Sequence, residues 1–164
     1  AAYNPCGQTA CFVPAANARF SNGRELPQVM AELTGPQRAF LDEKHFGTIG
    51  TINKDSSPQL TALWYQLRGN AIIMNTGQAS KKVRNLQRDQ RASFMVVGDG
   101  RHVNIEGTVS LDTTETTVLA DLTALASRYA GAEAGPGIAA NIAKIPHVTL
   151  RLSIDKVRTF GKFE

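Results

Sequence analysis

In FGTIGTINKDSSPQLTALWYQLRGNAIIMNTGQASKKVRNLQRDQRASFMVV, residues 46–97, extended segments alternate with turns, and one short helical pattern interrupts them. FGTIGTIN (46–53) is rich in β-branched residues, and the KDSS behind it has hairpin-turn chemistry. PQLTALWYQL (58–67) and AIIMNT (71–76) read as two more strands, separated by the turn RGN. A small-residue loop then leads to Ser80, an N-cap residue type. Behind it Val83 and Leu86 lie three apart on one face of a short helix. RASFMVV (91–97) resumes the extended pattern.

The flanks fit the same plan. Upstream, Thr34 can cap a helix with Pro36 in its first turn, carrying Phe40 and Leu41 toward a core. Downstream, GDG and HVNIEGTVSL (102–111) complete a hairpin. Asp112 and Glu115 have the spacing of a capping box. Val118, Leu119, Leu122, Leu125, Ala126 and Tyr129 then recur at helical spacing and end at Gly131. A Gly/Ala/Pro loop and a short helical stretch lead to HVTLRLSI (147–154), where Val148, Leu150, Leu152 and Ile154 alternate with polar residues as in a half-buried strand. The expectation is a mainly β protein with peripheral helices, six antiparallel strands forming a small closed or split barrel.

Size and composition narrow the function. A chain of 164 residues with 42% hydrophobic and 20% charged residues reads as one globular domain. No apolar run approaches the roughly 20 residues of a membrane-spanning helix, so no membrane partner is expected. The net charge of +4 suits an acidic ligand, but no basic tract with interleaved aromatics points to nucleic acid. Cys6 and Cys11 are the only cysteines, which reads as a reducing, cytoplasmic protein with an N-terminal appendage. The two could close a small loop, a pairing the spacing leaves open. His45, His102 and His147 have no metal-ligand spacing, and no metal site is expected. Residues 1–29 lack hydrophobic periodicity and a signal-peptide pattern. They read as an upstream extension, a vector-derived scar or a native arm, ahead of a domain spanning 30–164 with Met30 as a plausible start.

Catalytic side chains are scarce. There is no nucleophile elbow and no paired-carboxylate signature; Asp99 and Glu106 read as turn and strand residues. Gly98 and Gly100 belong to a hairpin, because no helix follows them. What stands out is Lys81 and Lys82 in the first turn of a helix, where a cation is unfavourable by about 0.3–1 kcal/mol. With Ser80 and the free amides of that turn they would cradle a phosphate. The same residues are compatible with a solvated surface helix.

The order of elements resembles the pyridoxamine-phosphate-oxidase-like family of flavin and deazaflavin split barrels. The resemblance is carried by Pro58, Trp64, Thr76, Ser80-Lys81-Lys82, Asn85-Leu86 and Arg88-Asp89. It runs from about Leu41 to Leu111 and more loosely to Gly161. It implies a homodimer of split barrels with a flavin-type cofactor across the interface. By position, Thr76, Ser80, Lys81 and Lys82 would hold the phosphate, with Asn75 counted among the cofactor-binding residues. Leu60, Thr61, Ala62 and Leu63 would line the tricyclic ring, and Trp64 would be either a core aromatic or part of that wall. The cofactor ring carries the electrons, so no side chain is assigned a catalytic role. KKVRNLQRDQRAS looks most like the branch that uses the deazaflavin coenzyme F420, whose acidic tail would suit Lys81, Lys82, Arg84, Arg88 and Arg91. The expected function is a deazaflavin-dependent oxidoreductase delivering hydride to a conjugated or heteroaromatic small-molecule acceptor. The alternatives are an FMN-dependent oxidase or reductase, or a non-catalytic flavin or deazaflavin carrier.

Overall fold

A computed structural model describes residues 31–163. The expected N-terminal extension, with Cys6 and Cys11, lies outside the described residues. Thr34 caps α1 (Gly35–Asp42): its hydroxyl accepts from the Gln37 amide at 3.4 Å, and Gln37 Oε1 accepts from the Thr34 amide at 2.9 Å. The reciprocal pair satisfies two amides that a helix start otherwise leaves open. Phe40 and Leu41 are fully buried, as their position in the pattern predicts.

The chain continues through β1 (Gly47–Ile52), β2 (Pro58–Leu63), β3 (Tyr65–Arg68), β4 (Ala71–Gly77), α2 (Lys81–Arg88), β5 (Arg91–Gly98) and β6 (Arg101–Asp112). It ends with α3 (Glu115–Ala130), α4 (Gly135–Ile142), β7 (His147–Ser153) and β8 (Lys156–Phe160). All pairings are antiparallel, in the order β2-β1-β5-β6-β7-β4-β3, with β8 beside β6. The sheet curls into a half-barrel around Ile49, Ile72, Phe94, Ile105, Leu150 and Leu152, all fully buried.

Eight strands stand where six were expected. One difference is a break at Trp64, which divides residues 58–67 into β2, paired with β1, and β3, paired with β4. Neighbouring residues therefore serve opposite ends of the sheet order. Tyr129 of α3 holds the corner: its ring stacks on Trp64 at 5.2 Å between centroids with planes 8° apart. Its hydroxyl accepts from the Tyr65 amide at 3.3 Å and donates to the His45 carbonyl at 2.6 Å. The other addition is β8, whose mostly exposed residues carry too little apolar alternation to be read as a strand.

Strand β6 joins the halves. Residues 102–106 pair with β8 and residues 109–112 with β7. Between them lies Gly107, where a Cβ would sit 2.0 Å from the Ser153 carbonyl oxygen. Ser153 Oγ ties the junction by accepting from the Thr108 amide at 2.9 Å.

Helices α3 and α4 bury Leu122, Ala126 and Ala139 together, with Trp64 packed against them. Trp64 is therefore a packing residue of this second cluster. The expected capping box at Asp112 and Glu115 does not form. Thr114 is the N-cap, and Asp112 Oδ1 accepts from the Thr114 amide at 2.8 Å, forming a turn before the helix. Leu119, expected on the apolar face, is 46% exposed, because α3 has only one side against the sheet. Replacing Gly107 by alanine should cost about 1–3 kcal/mol by overpacking against fixed backbone, lowering Tm by about 3–9 °C for a domain of this size. A melt unchanged within about 1 °C would mean that β6 and β7 can part at this junction without loss.

Candidate functional site

The end of β4 and the start of α2 converge through the loop Gly77–Ser80. Thr76 continues the face of β4 that carries Ile72 and Met74 into the core. Ser80 is the N-cap residue of α2, but its side chain makes no capping bond, and its hydroxyl oxygen is buried without a partner. The expected cap is thus absent, and the hydroxyl has no partner among the described residues. The first amide of the helical ladder is Arg84 N–H, which donates to the Ser80 carbonyl at 3.3 Å. The amides of residues 81–83 precede that ladder, so the helix does not satisfy them itself.

Lys82 lies at the centre of this turn. It is 9% exposed, and Nζ donates to Thr76 Oγ1 at 2.9 Å. Burial pulls its pKa below the ordinary lysine value, and no carboxylate among the described residues offsets that burial. A buried ammonium without a counter-ion carries a desolvation cost that an incoming anion would offset. Lys81, by contrast, is exposed. It adds a small attraction to Asp55, whose carboxyl is held below its usual range mainly by the Ser57 hydroxyl.

The remaining expected site residues divide by strand geometry. Side chains alternate along β2, so Thr61 and Leu63 are partly buried while Leu60 and Ala62 face outward. The four do not line one surface, and Leu60 is 72% exposed. Asn75 lies on the opposite face of β4 from Thr76. There its Nδ2 donates to Thr149 Oγ1 at 3.3 Å and to the Val118 carbonyl at 3.5 Å. The structure thus brings Thr76, Ser80 and Lys82 together and turns Asn75 away. Of the nearby arginines, Arg91 pairs with Asp89 at 2.7 Å and holds that carboxyl down to about 2. Arg88 donates to the Ile52 carbonyl, while Arg84 is exposed.

One residue outside the set assigned by the resemblance completes the surroundings of Lys82. Asn85, one turn behind Lys82, is 3% exposed and reaches the hairpin of β1 and β2: its Nδ2 lies 3.0 Å from Gln59 Oε1 and 3.0 Å from Asn53 Oδ1. A polar residue three positions after Lys82, on the same helical face, was the available sign. Elsewhere, Glu43, His45 and Asp99 place one ligand-type atom each within 4.8 Å of one another. Arg101 stands among them, 3.5 Å from Glu43 and 3.6 Å from Asp99, supplying positive charge.

Comparison with known proteins follows this geometry. No curated protein gives a significant sequence match. Among solved structures, a conserved hypothetical protein of Mycobacterium tuberculosis is 25% identical with a TM-score of 0.70, over 80% of this chain and 86% of that one. An F420 reductase is 20% identical with a TM-score of 0.63, over 74% of this chain and 94% of that one. HutZ, the heme storage protein of Vibrio cholerae, is 13% identical with a TM-score of 0.59, over 75% of this chain and 89% of that one. At 20% and 13% identity these last two show the shared fold alone. The family model of pyridoxamine 5'-phosphate oxidase matches residues 33–161, nearly the whole described chain. By that match, the chain belongs to the pyridoxamine 5'-phosphate oxidase family.

Proposed function

We propose that this protein is an oxidoreductase that holds a flavin-type cofactor by its phosphate at the start of α2. The cofactor in this reading is the deazaflavin coenzyme F420, with FMN as the alternative, and the substrate is a conjugated or heteroaromatic acceptor. The observation that carries it is Lys82, a largely buried lysine that has no acidic partner among the described residues, two positions from a Ser80 hydroxyl that likewise has no partner among them. Those two groups, the Thr76 hydroxyl and the leading amides of α2 fit a phosphate monoester or diester: all are donors, and the helix dipole adds to them. The bound cofactor supplies the hydride chemistry. The chain contributes binding, orientation and exclusion of water, with Thr61 and Leu63 on the β2 face nearer α2. The deazaflavin preference rests on the resemblance of KKVRNLQRDQRAS and on the outward Lys81 and Arg84, which suit an acidic tail.

The same reading includes a homodimer. Leu60, Met95, Val97 and Phe160 are exposed on the outer face of β2, β5 and β8. Exposed apolar side chains on these strands favour association. The expected result is a dimeric mass by light scattering at micromolar concentration, and a monomeric one for the pair Leu60→Asp and Val97→Asp. A monomeric wild type with cofactor bound would remove the dimer from the reading.

Lys82→Ala removes a charge-assisted hydrogen bond of roughly 1.5–3 kcal/mol. Cofactor affinity should then fall about 10- to 150-fold, while the Tm of the free protein holds or rises slightly. Titrating both cofactors by visible absorbance checks this, and unchanged affinity for both would end the assignment. Turnover of reduced cofactor against a panel of acceptors separates an enzyme from a carrier. A Soret band on heme titration, with neither flavin bound, would replace the reading.

The pH dependence has a definite sign. Burial lowers the Lys82 pKa in the folded, anion-free protein, so the cost of charging it is fully present below that lowered value. That cost lessens as pH rises from the lowered value toward the unfolded one. Cofactor affinity should move the other way, declining over the same alkaline window as the ammonium is lost. Isothermal titration across that window should show a steeper decline for wild type than for Lys82→Ala.

A further inference from the structure

The site has two ends on different elements: the phosphate end on α2 and the ring-lining strand β2. One buried side chain connects them. Asn85 Nδ2 lies 3.0 Å from Gln59 Oε1, 3.0 Å from Asn53 Oδ1 and 3.1 Å from Thr51 Oγ1. An amide has two hydrogens for these three acceptors, and the cluster closes on itself because the Thr51 hydroxyl donates to Gln59 Oε1 at 3.2 Å. From Gln59 the chain of contacts runs on to Thr61, whose Oγ1 accepts from Gln59 Nε2 at 3.4 Å. In the other direction, Asn85 sits one helical turn behind Lys82, so whatever fixes the rotation of Asn85 also aims Lys82.

We propose that Asn85 is a positioning residue that sets the span between the phosphate-binding turn and β2, matching it to the length of the cofactor between phosphate and ring. This rests on the cofactor reading above. Asn85 does not touch the cofactor in this scheme. It holds two half-sites in register, so that binding at one end raises the effective concentration at the other. A residue that merely stabilised the fold would weaken every ligand together. A registering residue weakens only ligands that engage both ends.

The test compares FMN, which has both ends, with riboflavin and inorganic phosphate, which each have one. Asn85→Ala should bind FMN about tenfold or more weakly, with riboflavin and phosphate affinities held within about twofold. Gln59→Ala, at a partly exposed position, should do the same more mildly. The double variant should lose less than the product of the two single losses, because both act through one contact. Should Asn85→Ala fail to fold, Gln59→Ala carries the same comparison. Equal weakening of all three ligands, unchanged FMN affinity, or losses that multiply would each overturn the proposal. If wild type binds only the deazaflavin, F420 and its phosphate-free form take the places of FMN and riboflavin with the same outcomes. Failure of the cofactor reading itself looks different: wild type would bind neither FMN nor the deazaflavin, or Lys82→Ala would bind them unchanged.

Discussion

Continuous pairing through β6 is the constraint on which the architecture depends. Its first half borders β8 and its second half borders β7, so one strand carries the register of both halves of the sheet. The two halves can share a strand only if backbone passes backbone at Gly107, close against Ser153. Everything downstream inherits that geometry. The pairing of β7 with β4 places the end of β4, and hence Thr76 and the loop to α2, relative to the β1–β2 hairpin. The corner at Trp64, held by Tyr129, then lets β2 and β3 serve opposite ends of the sheet order without a long connection.

Within that frame the candidate site departs from the rule that buried charges are paired. Of the cations around it, Arg91 pairs with Asp89 and Arg88 with a carbonyl, while Lys81 and Arg84 are exposed to water. Among the described residues Lys82 has a hydroxyl partner but no acid. A sequence under no demand except stability would replace such a lysine with an apolar side chain of similar length. Its place two residues from a buried Ser80 hydroxyl makes this turn of helix the place where ligand chemistry is sought.

Most of the elements were legible because period and punctuation agree. Thr34 with Pro36, the alternation from Val148 to Ile154, and the turn at Asp99 and Gly100, both with positive φ, are local signals with local outcomes. What could not be read depends on distant partners. The break at Trp64 comes from Tyr129, more than sixty residues away in the chain. Asp112 forms a turn rather than a capping box, because its carboxylate finds the Thr114 amide first. At the site, the triple of Thr76, Ser80 and Lys82 follows from the motif. The opposite facing of Asn75 and Thr76 follows from strand alternation, yet the resemblance by position grouped them. The Asn85 contacts required knowledge of which hairpin lies beneath α2.

The order of pairing along the chain has a consequence for biosynthesis. β5 and β6 meet through the two-residue turn at Asp99 and Gly100, and β1 and β2 are also hairpin neighbours. Such local contacts form early and cheaply in loop entropy. β4 is different: one of its edges takes β3 at once, but the other waits for β7, with Gly77 meeting His147 and Ala71 meeting Ser153. During synthesis the ribosome must deliver the chain through β7, about seventy residues further on, before that edge is covered. Until then the apolar run of Ile72, Ile73 and Met74 belongs to an open strand, a template for unwanted pairing. The nascent chain is therefore most exposed to misassembly in the interval between emergence of β4 and emergence of β7, and pulse-labelled hydrogen exchange should find the amides of β4 protected later than those of β5.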